Sequence, residues 1–376
     1  MRHLPSRSSW NAARVSQLVA VGAAGALALS AAPASAALPD GFAGIATEDA
    51  YVGSDAYQAK ELGRQRATGF TLTRQVFKWQ ELEPGPGIYE WSATDRFVLA
   101  AAKAKIRVMP LLYGEPAWAT SRPAGDQRRV TFPPADNEAY GRFAEAVARR
   151  YGPNGAFWAA NPGVNKVPTL QYQLWNEPNL SLYWGGRSAP AEYAALAVAG
   201  SKGLRRAQPD AYVVSAGLPQ SKLATDPDTF IQQVLKQGGA KVIDAVGVHP
   251  TGSTADKLVG AVEKFRKAID KKSVGGKKLD LWVTEFGWAV GGPKAAGKTV
   301  TAKQQSELIK DSYRGLAKRS KALSIEGAIY FQWRDSPVYP GVTDFWGLHT
   351  GLVDLNGVDR RSRGDLAKAF PSMKAR

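Results

Sequence analysis

The 376-residue chain contains no cysteine. Disulfides, thiolate nucleophiles and cysteine-based zinc sites are therefore excluded, and stability has to come from the core alone. Histidine is almost as scarce: there are three, His3, His249 and His349, and no cluster among them has zinc-ligand spacing. The chain calls for no metal and no other cofactor. Serine-histidine-aspartate chemistry finds no support either, because no Gly-x-Ser-x-Gly elbow occurs. A dinucleotide fingerprint is missing too, since Gly41-Phe42-Ala43-Gly44 lacks both the third glycine and a helix directly after it. Heptads, low-complexity tracts and internal repeats are absent from the sequence. No apolar run is long enough to span a bilayer comfortably.

The apolar run that comes nearest covers 18–32, within an uncharged stretch. It follows Arg2, Arg7 and Arg14 and leads into Ala34-Ser35-Ala36, a small-x-small pattern. A basic start, a short apolar stretch and small residues at the end read as a signal peptide, residues 1–36, cut after Ala36. With no cysteine beyond the cut to carry a lipid, the remaining 37–376 are expected to be secreted, free in solution and monomeric. That length is ample for one large core. No Pro/Ser/Gly-rich linker divides it, the stretch 291–297 being only a short loop, so one domain is expected. The formal charge of +16 raises the question of nucleic acid. In the densest basic region, 257–278, Leu258, Val262, Phe265 and Ile269 recur at helical spacing, which turns the lysines to solvent. Nucleic acid is therefore not an expected partner. A positive surface does favour the approach of acidic polymers.

Short apolar runs recur at 41–46, 71–77, 106–113, 170–174, 211–218, 242–248, 279–284 and 327–332, each suited to a strand buried on both faces. Between them lie amphipathic stretches, among them one with Tyr140, Phe143 and Val147 on a single stripe. Alternation of strand and helix implies parallel strands with right-handed crossovers, and eight strands is the number that closes. The expected fold is α/β, a single (β/α)₈ TIM barrel, whose reactive groups stand where strands end.

Two of those ends carry carboxylates. The fourth run leads into Trp175-Asn176-Glu177-Pro178-Asn179, and the seventh into Trp282-Val283-Thr284-Glu285-Phe286-Gly287-Trp288. Both should reach one cleft across the barrel mouth. Paired carboxylates suit glycoside hydrolysis, in which one group protonates the leaving oxygen while the other works from the opposite face of the sugar. Indoles offer stacking surfaces for sugars. Trp175, Trp282, Trp288 and Trp333 lie near strand ends, with Trp118 after the third run, although large aromatics are equally ordinary core material.

The chain resembles the retaining glycoside hydrolases of clan A, which include families 5 and 39. The resemblance spans nearly the whole of 37–376. It implies that Glu177 is the acid/base, that Asn176 binds a sugar hydroxyl and that Glu285 is the nucleophile, steadied by Arg74 at the end of the second run. The segment containing Glu83-Pro84-Gly85 and Gly87-Ile88-Tyr89, together with Trp333 and Gly351-Leu352-Val353-Asp354, also looks like that clan. His249, Tyr113 and Trp118 join Asn176, Arg74 and Trp333 as expected substrate-site residues. The implied activity is cleavage of oligo- or polysaccharides, with β-linked bonds favoured, by double displacement. One departure stands out: where the clan reads His-x-Tyr after strand six, this chain reads His249-Pro250-Thr251, so Tyr113 or Tyr330 would have to replace the missing hydroxyl beside Glu285. A carbohydrate-binding barrel that has lost turnover is the alternative that this departure leaves open.

Overall fold

The computed structural model describes residues 36–270, 278–295, 298–339 and 343–375. The signal-peptide reading of 1–36 thus lies almost wholly outside the described residues.

Eight parallel strands close into a barrel: β1 (Ala43–Ala46), β2 (Leu72–Lys78), β3 (Arg107–Tyr113), β4 (Gln171–Leu174), β5 (Tyr212–Pro219), β6 (Ala245–His249), β7 (Asp280–Phe286) and β8 (Ile325–Tyr330). β8 pairs back onto β1, Ala43 opposite Ala328 and Ile45 opposite Tyr330. All eight expected runs are strands, so the expected barrel is the observed fold. A helix follows each strand: α1 (Asp55–Thr68), α2 (Ser92–Lys103), α3 (Asn137–Tyr151), α4 (Pro190–Ala207), α5 (Pro227–Lys236), α6 (Ala255–Ile269), α7 (Ala302–Leu323) and α8 (Arg361–Ala369). An extended pair, Ala36–Ala37 against Lys374–Ala375, lies outside the barrel sheet.

Local chemistry starts these helices where the barrel needs them. Ser54, Asp226 and Thr254 each accept a hydrogen bond from a first-turn backbone N–H, of Tyr57, Thr229 and Lys257 respectively. Thr301 and Gln304 form a reciprocal capping box. On α6 the apolar residues Leu258, Val262, Phe265 and Ile269 are all buried, as their spacing predicts.

Two apolar clusters hold the fold. The larger lies between strands and helices. The smaller consists of Ala46, Leu72, Met109, Val214, Ala245, Trp282 and Ile329, one residue from every strand except β4, and fills the barrel itself. Side chains two residues apart share a strand face. Arg74, two on from Leu72, and His249, four on from Ala245, therefore continue the interior upward and are the first polar layer below the mouth. Among the described residues no helix is long and apolar enough to cross a membrane.

Candidate active site

β4 ends in an abrupt change of backbone direction. Trp175 and Glu177 both adopt left-handed conformations, φ 69° and 46°, which cost non-glycine residues about 1–2 kcal/mol each. Surrounding bonds over-determine them. Trp175 N–H donates to Leu112 O (3.0 Å), its indole to Tyr183 O (2.9 Å), and Glu177 N–H to Gly217 O (3.2 Å). Asn179 closes the turn, its amide donating to Pro219 O (3.1 Å) and Thr225 O (2.9 Å). That amide is buried, so the Asn179-Leu180-Ser181 sequon offers no acceptor for glycan.

Glu285 arrives by a different device. Strict alternation from Trp282, which faces the interior, would aim residue 285 outward. The pairing of β7 with β8 shifts register between Val283 and Phe286, and such an irregularity re-aims a side chain. Glu285 thus lines the same cavity as Glu177, a cleft of about 620 Å³ at the C-terminal end of the strands.

Arg74 ties the site together from below. Its side chain is 3% exposed, and it donates from Nη1 to Glu285 Oε1 (2.7 Å), from Nη2 to Asn176 Oδ1 (2.9 Å) and from Nε to Gln173 Oε1 (2.6 Å). Every edge of the guanidinium fork is used, a geometry no other side chain reproduces. His249 closes the ring from above. Its Nδ1 lies 2.7 Å from Glu177 Oε1, and its Nε2 lies 3.6 Å from Glu285 Oε1. One imidazole therefore faces both carboxylates. Gly217 makes that approach possible, since a Cβ there would stand 2.0 Å from His249 Nε2.

One oxygen of Glu177, one of Glu285 and a His249 nitrogen all lie within 4.8 Å of one another. Three such groups could hold a cation. Here Glu285 Oε1 already faces the Arg74 guanidinium and Glu177 Oε1 a ring nitrogen. This donor set suits proton transfer, because a metal ion would have to compete with a fixed positive charge for the same oxygen.

The structure brings together five of the eight expected site residues: Glu177, Glu285, Arg74, Asn176 and His249. Three expectations need correction. Trp333 is fully buried, its indole donating to Glu61 Oε2 (2.8 Å) on α1, so it braces β8 and does not face the cleft. Trp118 donates to Glu83 O (2.9 Å) and packs edge-on against Trp79, outside the cavity lining. The Tyr113 hydroxyl is paired with Thr131, and Tyr113 too lies outside that lining. Tyr330 does not replace the missing strand-six tyrosine, because its buried hydroxyl donates to Thr350 O (2.7 Å). On that side of Glu285, His249 Nε2 stands 3.6 Å from Oε1. The conspicuous Glu83 of the segment after β2 is likewise structural, accepting from the Trp79 indole (2.6 Å) and Gly87 N–H (2.8 Å).

Other residues escaped the sequence reading. Gln173, on β4, holds Arg74 and is legible only as one of two glutamines in the run Leu170-Gln171-Tyr172-Gln173-Leu174. Tyr183 lines the cleft from the connection after β4, where burial and the charges of Glu177 and Glu285 push its hydroxyl well above the ordinary tyrosine range. Phe331, Tyr339, Phe345 and Trp346, all after β8, form an aromatic wall, and Lys298 comes from the connection after β7. No strand-end position announces them.

A closed parallel barrel with two carboxylates converging at its C-terminal mouth defines the class of architecture. No family model and no characterised protein matches the sequence. Solved structures share the fold. A family 39 glycoside hydrolase from the gut symbiont Bacteroides cellulosilyticus WH2 superposes with a TM-score of 0.62 at 20% identity, over 88% of this chain and 64% of that one. The family 39 enzyme from Xanthomonas axonopodis pv. citri gives 0.65 at 18% identity, over 91% and 68%. The family 5 subfamily 18 structure from Streptomyces cattleya, in complex with GlcNAc, gives 0.61 at 15%, over 89% and 80%. The chain thus spans under two thirds of the Bacteroides enzyme, and what it shares with these glycoside hydrolases is the barrel.

Proposed function

We propose that the chain is a retaining glycoside hydrolase acting on oligo- or polysaccharides, with Glu285 as nucleophile and Glu177 as acid/base. The observation that carries this reading is the approach of one oxygen from each carboxylate to within 4.8 Å. Retaining enzymes hold their carboxyl groups about 5–5.5 Å apart, whereas inverting ones leave about 6.5–9.5 Å for a water.

The roles follow from the neighbours. Arg74 holds and aims the Glu285 carboxylate from 2.7 Å, as a nucleophile requires. His249 shares one proton position with Glu177. When Nδ1 is bare it accepts from a protonated Glu177, and Nε2–H then faces the anionic Glu285. When Nδ1 carries hydrogen it donates to ionised Glu177. Double displacement needs both forms in turn. In the first step Glu177 gives its proton to the leaving oxygen as Glu285 attacks the anomeric carbon. In the second, ionised Glu177 takes a proton from water, whose oxygen displaces Glu285 and restores both groups. Asn176, fixed by Arg74, offers its amide N–H groups to a sugar hydroxyl.

A panel of aryl β-glycosides tests the reading. Turnover with a first-formed product of retained anomeric configuration, read by NMR, is expected. Sugar binding without turnover would favour the silent carbohydrate-binding barrel, and an inverted product would remove Glu285 as nucleophile. We further propose that the enzyme works outside the cell after cleavage behind Ala36, for which mass spectrometry of exported protein should find Ala37 at the N-terminus.

A further inference from the structure

Among the described residues of the cleft lining, two charged ones have no task in the bond cleavage above, Glu48 and Lys298, and of these Lys298 is the cation. Lys298 belongs to the connection between β7 and α7, and its backbone is not loose. Ala289 N–H donates to Lys298 O (2.7 Å) and Val300 N–H to Ala289 O (2.9 Å), so the segment pairs in parallel with the residues just after β7. Its ammonium stands 3.9 Å from the ring centroid of Trp346, and both side chains line the cavity that holds Glu177 and Glu285.

Among the described residues Lys298 Nζ donates no hydrogen bond and makes no ion pair within 4 Å. Burial lowers its pKa to about 8, against the field of Glu177, which raises it. Other cations near the barrel mouth are committed, Arg74 to Glu285, and Arg360 to Asp335 (2.5 Å). An ammonium that is partly stripped of water and seated on an indole face, with no carboxylate of its own, is incomplete until an anion arrives.

We propose that Lys298, seated on Trp346, is the subsite for the carboxylate of a uronic acid residue bound beside the scissile bond, so that the substrate is a uronate-containing glycan. The inference rests on the glycosidase reading. A carboxylate fits better than a phosphate because, among the described residues, Lys298 is the one Lys or Arg in the cavity lining and His249 is engaged by Glu177, so one cation meets one charge. The protein's formal charge of +16 suits a polyanionic glycan at longer range.

The test compares aryl β-D-glucuronide and galacturonide with the corresponding glucoside and galactoside, using the full chain and its Lys298→Met and Lys298→Arg variants. Uronides should be the better substrates of the unaltered protein. Lys298→Met should lower the ratio of uronide to neutral kcat/KM by roughly 10- to 100-fold, mainly through the uronide KM, as expected for one charge-assisted contact, and Lys298→Arg should retain much of it. Calorimetry with D-glucuronate and D-glucose on the same proteins gives a readout independent of turnover. Cleavage of neutral glycosides with an unchanged ratio in Lys298→Met would overturn the uronate subsite and leave the glycosidase standing. Lysine-dependent glucuronate binding with no cleavage of any glycoside would overturn the glycosidase reading and keep the anion site.

Discussion

Replacing Arg74 by alanine removes three donors at once from the floor of the cleft. Glu285 loses the guanidinium 2.7 Å from Oε1, and Asn176 and Gln173 lose bonds of 2.9 and 2.6 Å. Breaking a buried ion pair by removing one partner costs about 3–5 kcal/mol. Glu285 is 19% exposed, so water recovers part of this and the lower end applies. That cost falls on the folded state, and only the share of it made in the transition state enters kcat; at about 1.4 kcal/mol per decade the whole of about 3 kcal/mol is an upper bound of roughly a hundredfold. Freed from Arg74, Glu285 and Asn176 also lose their alignment, and displacement of reacting groups by about 1 Å is worth up to another hundredfold. The expected fall in kcat is therefore more than about 10-fold and at most about 10⁴-fold. Arg74→Lys should recover only a small part, because a single ammonium cannot serve three acceptors. Steady-state kinetics on an activated aryl glycoside, with circular dichroism to verify the fold, is the assay. A folded Arg74→Ala protein with near-normal kcat would refute the role given to this fork.

Gly217→Ala should disable the site without touching either carboxylate, since its Cβ would meet His249 Nε2 at 2.0 Å and Thr284 Oγ1 at 2.4 Å and push the imidazole off Glu177. A folded variant with kcat reduced about a hundredfold is expected, and undiminished turnover would show that the His249 contact is dispensable. Glu115, half-buried just beyond β3, has its carboxyl raised from 4.5 to about 7, chiefly by burial. A carboxyl whose pKa is higher folded than unfolded stabilises the fold while protonated. That contribution is complete below pH 4.5 and is lost as pH climbs through about 7. Glu115→Gln keeps an acceptor for Phe132 N–H and should flatten the decline of Tm between about pH 5 and about pH 7.5. Equal slopes in variant and parent would clear Glu115 of that role.

Strand positions were readable because strands buried on both faces write themselves as short apolar runs, and the interior cluster from Ala46 to Ile329 draws on seven of them. The glutamates were readable for a related reason: a carboxylate ending an apolar run has only the mouth to occupy. The direction of an individual side chain was less so. Trp333 and Trp288 both stand just past strand ends, yet one braces Glu61 and the other lines the cleft. In extended chain one residue reverses the face, and no composition rule fixes that parity. The register shift in β7 that turns Glu285 inward is equally silent in sequence. Lys298 and Trp346 were missed because they come from long connections, where tertiary contacts decide which side chains face the cavity. The absent strand-six tyrosine is explained by geometry that no motif encodes, His249 spanning both carboxylates across the gap left by Gly217.

The assignment of the two glutamates is tested most directly by azide rescue of Glu285→Ala and Glu177→Ala on an activated aryl glycoside. Without the nucleophile, azide should attack from the vacated side and give a glycosyl azide of inverted configuration. Without the acid/base, a good leaving group still departs, Glu285 still forms the glycosyl-enzyme, and azide should intercept it to give retained configuration. The anomeric configuration of each product, read by NMR, assigns each residue. Inversion with Glu285→Ala and retention with Glu177→Ala is the predicted result. The opposite pattern would exchange the roles, and undiminished hydrolysis in both variants would mean that the pair held within 4.8 Å at the barrel mouth is not the catalytic pair.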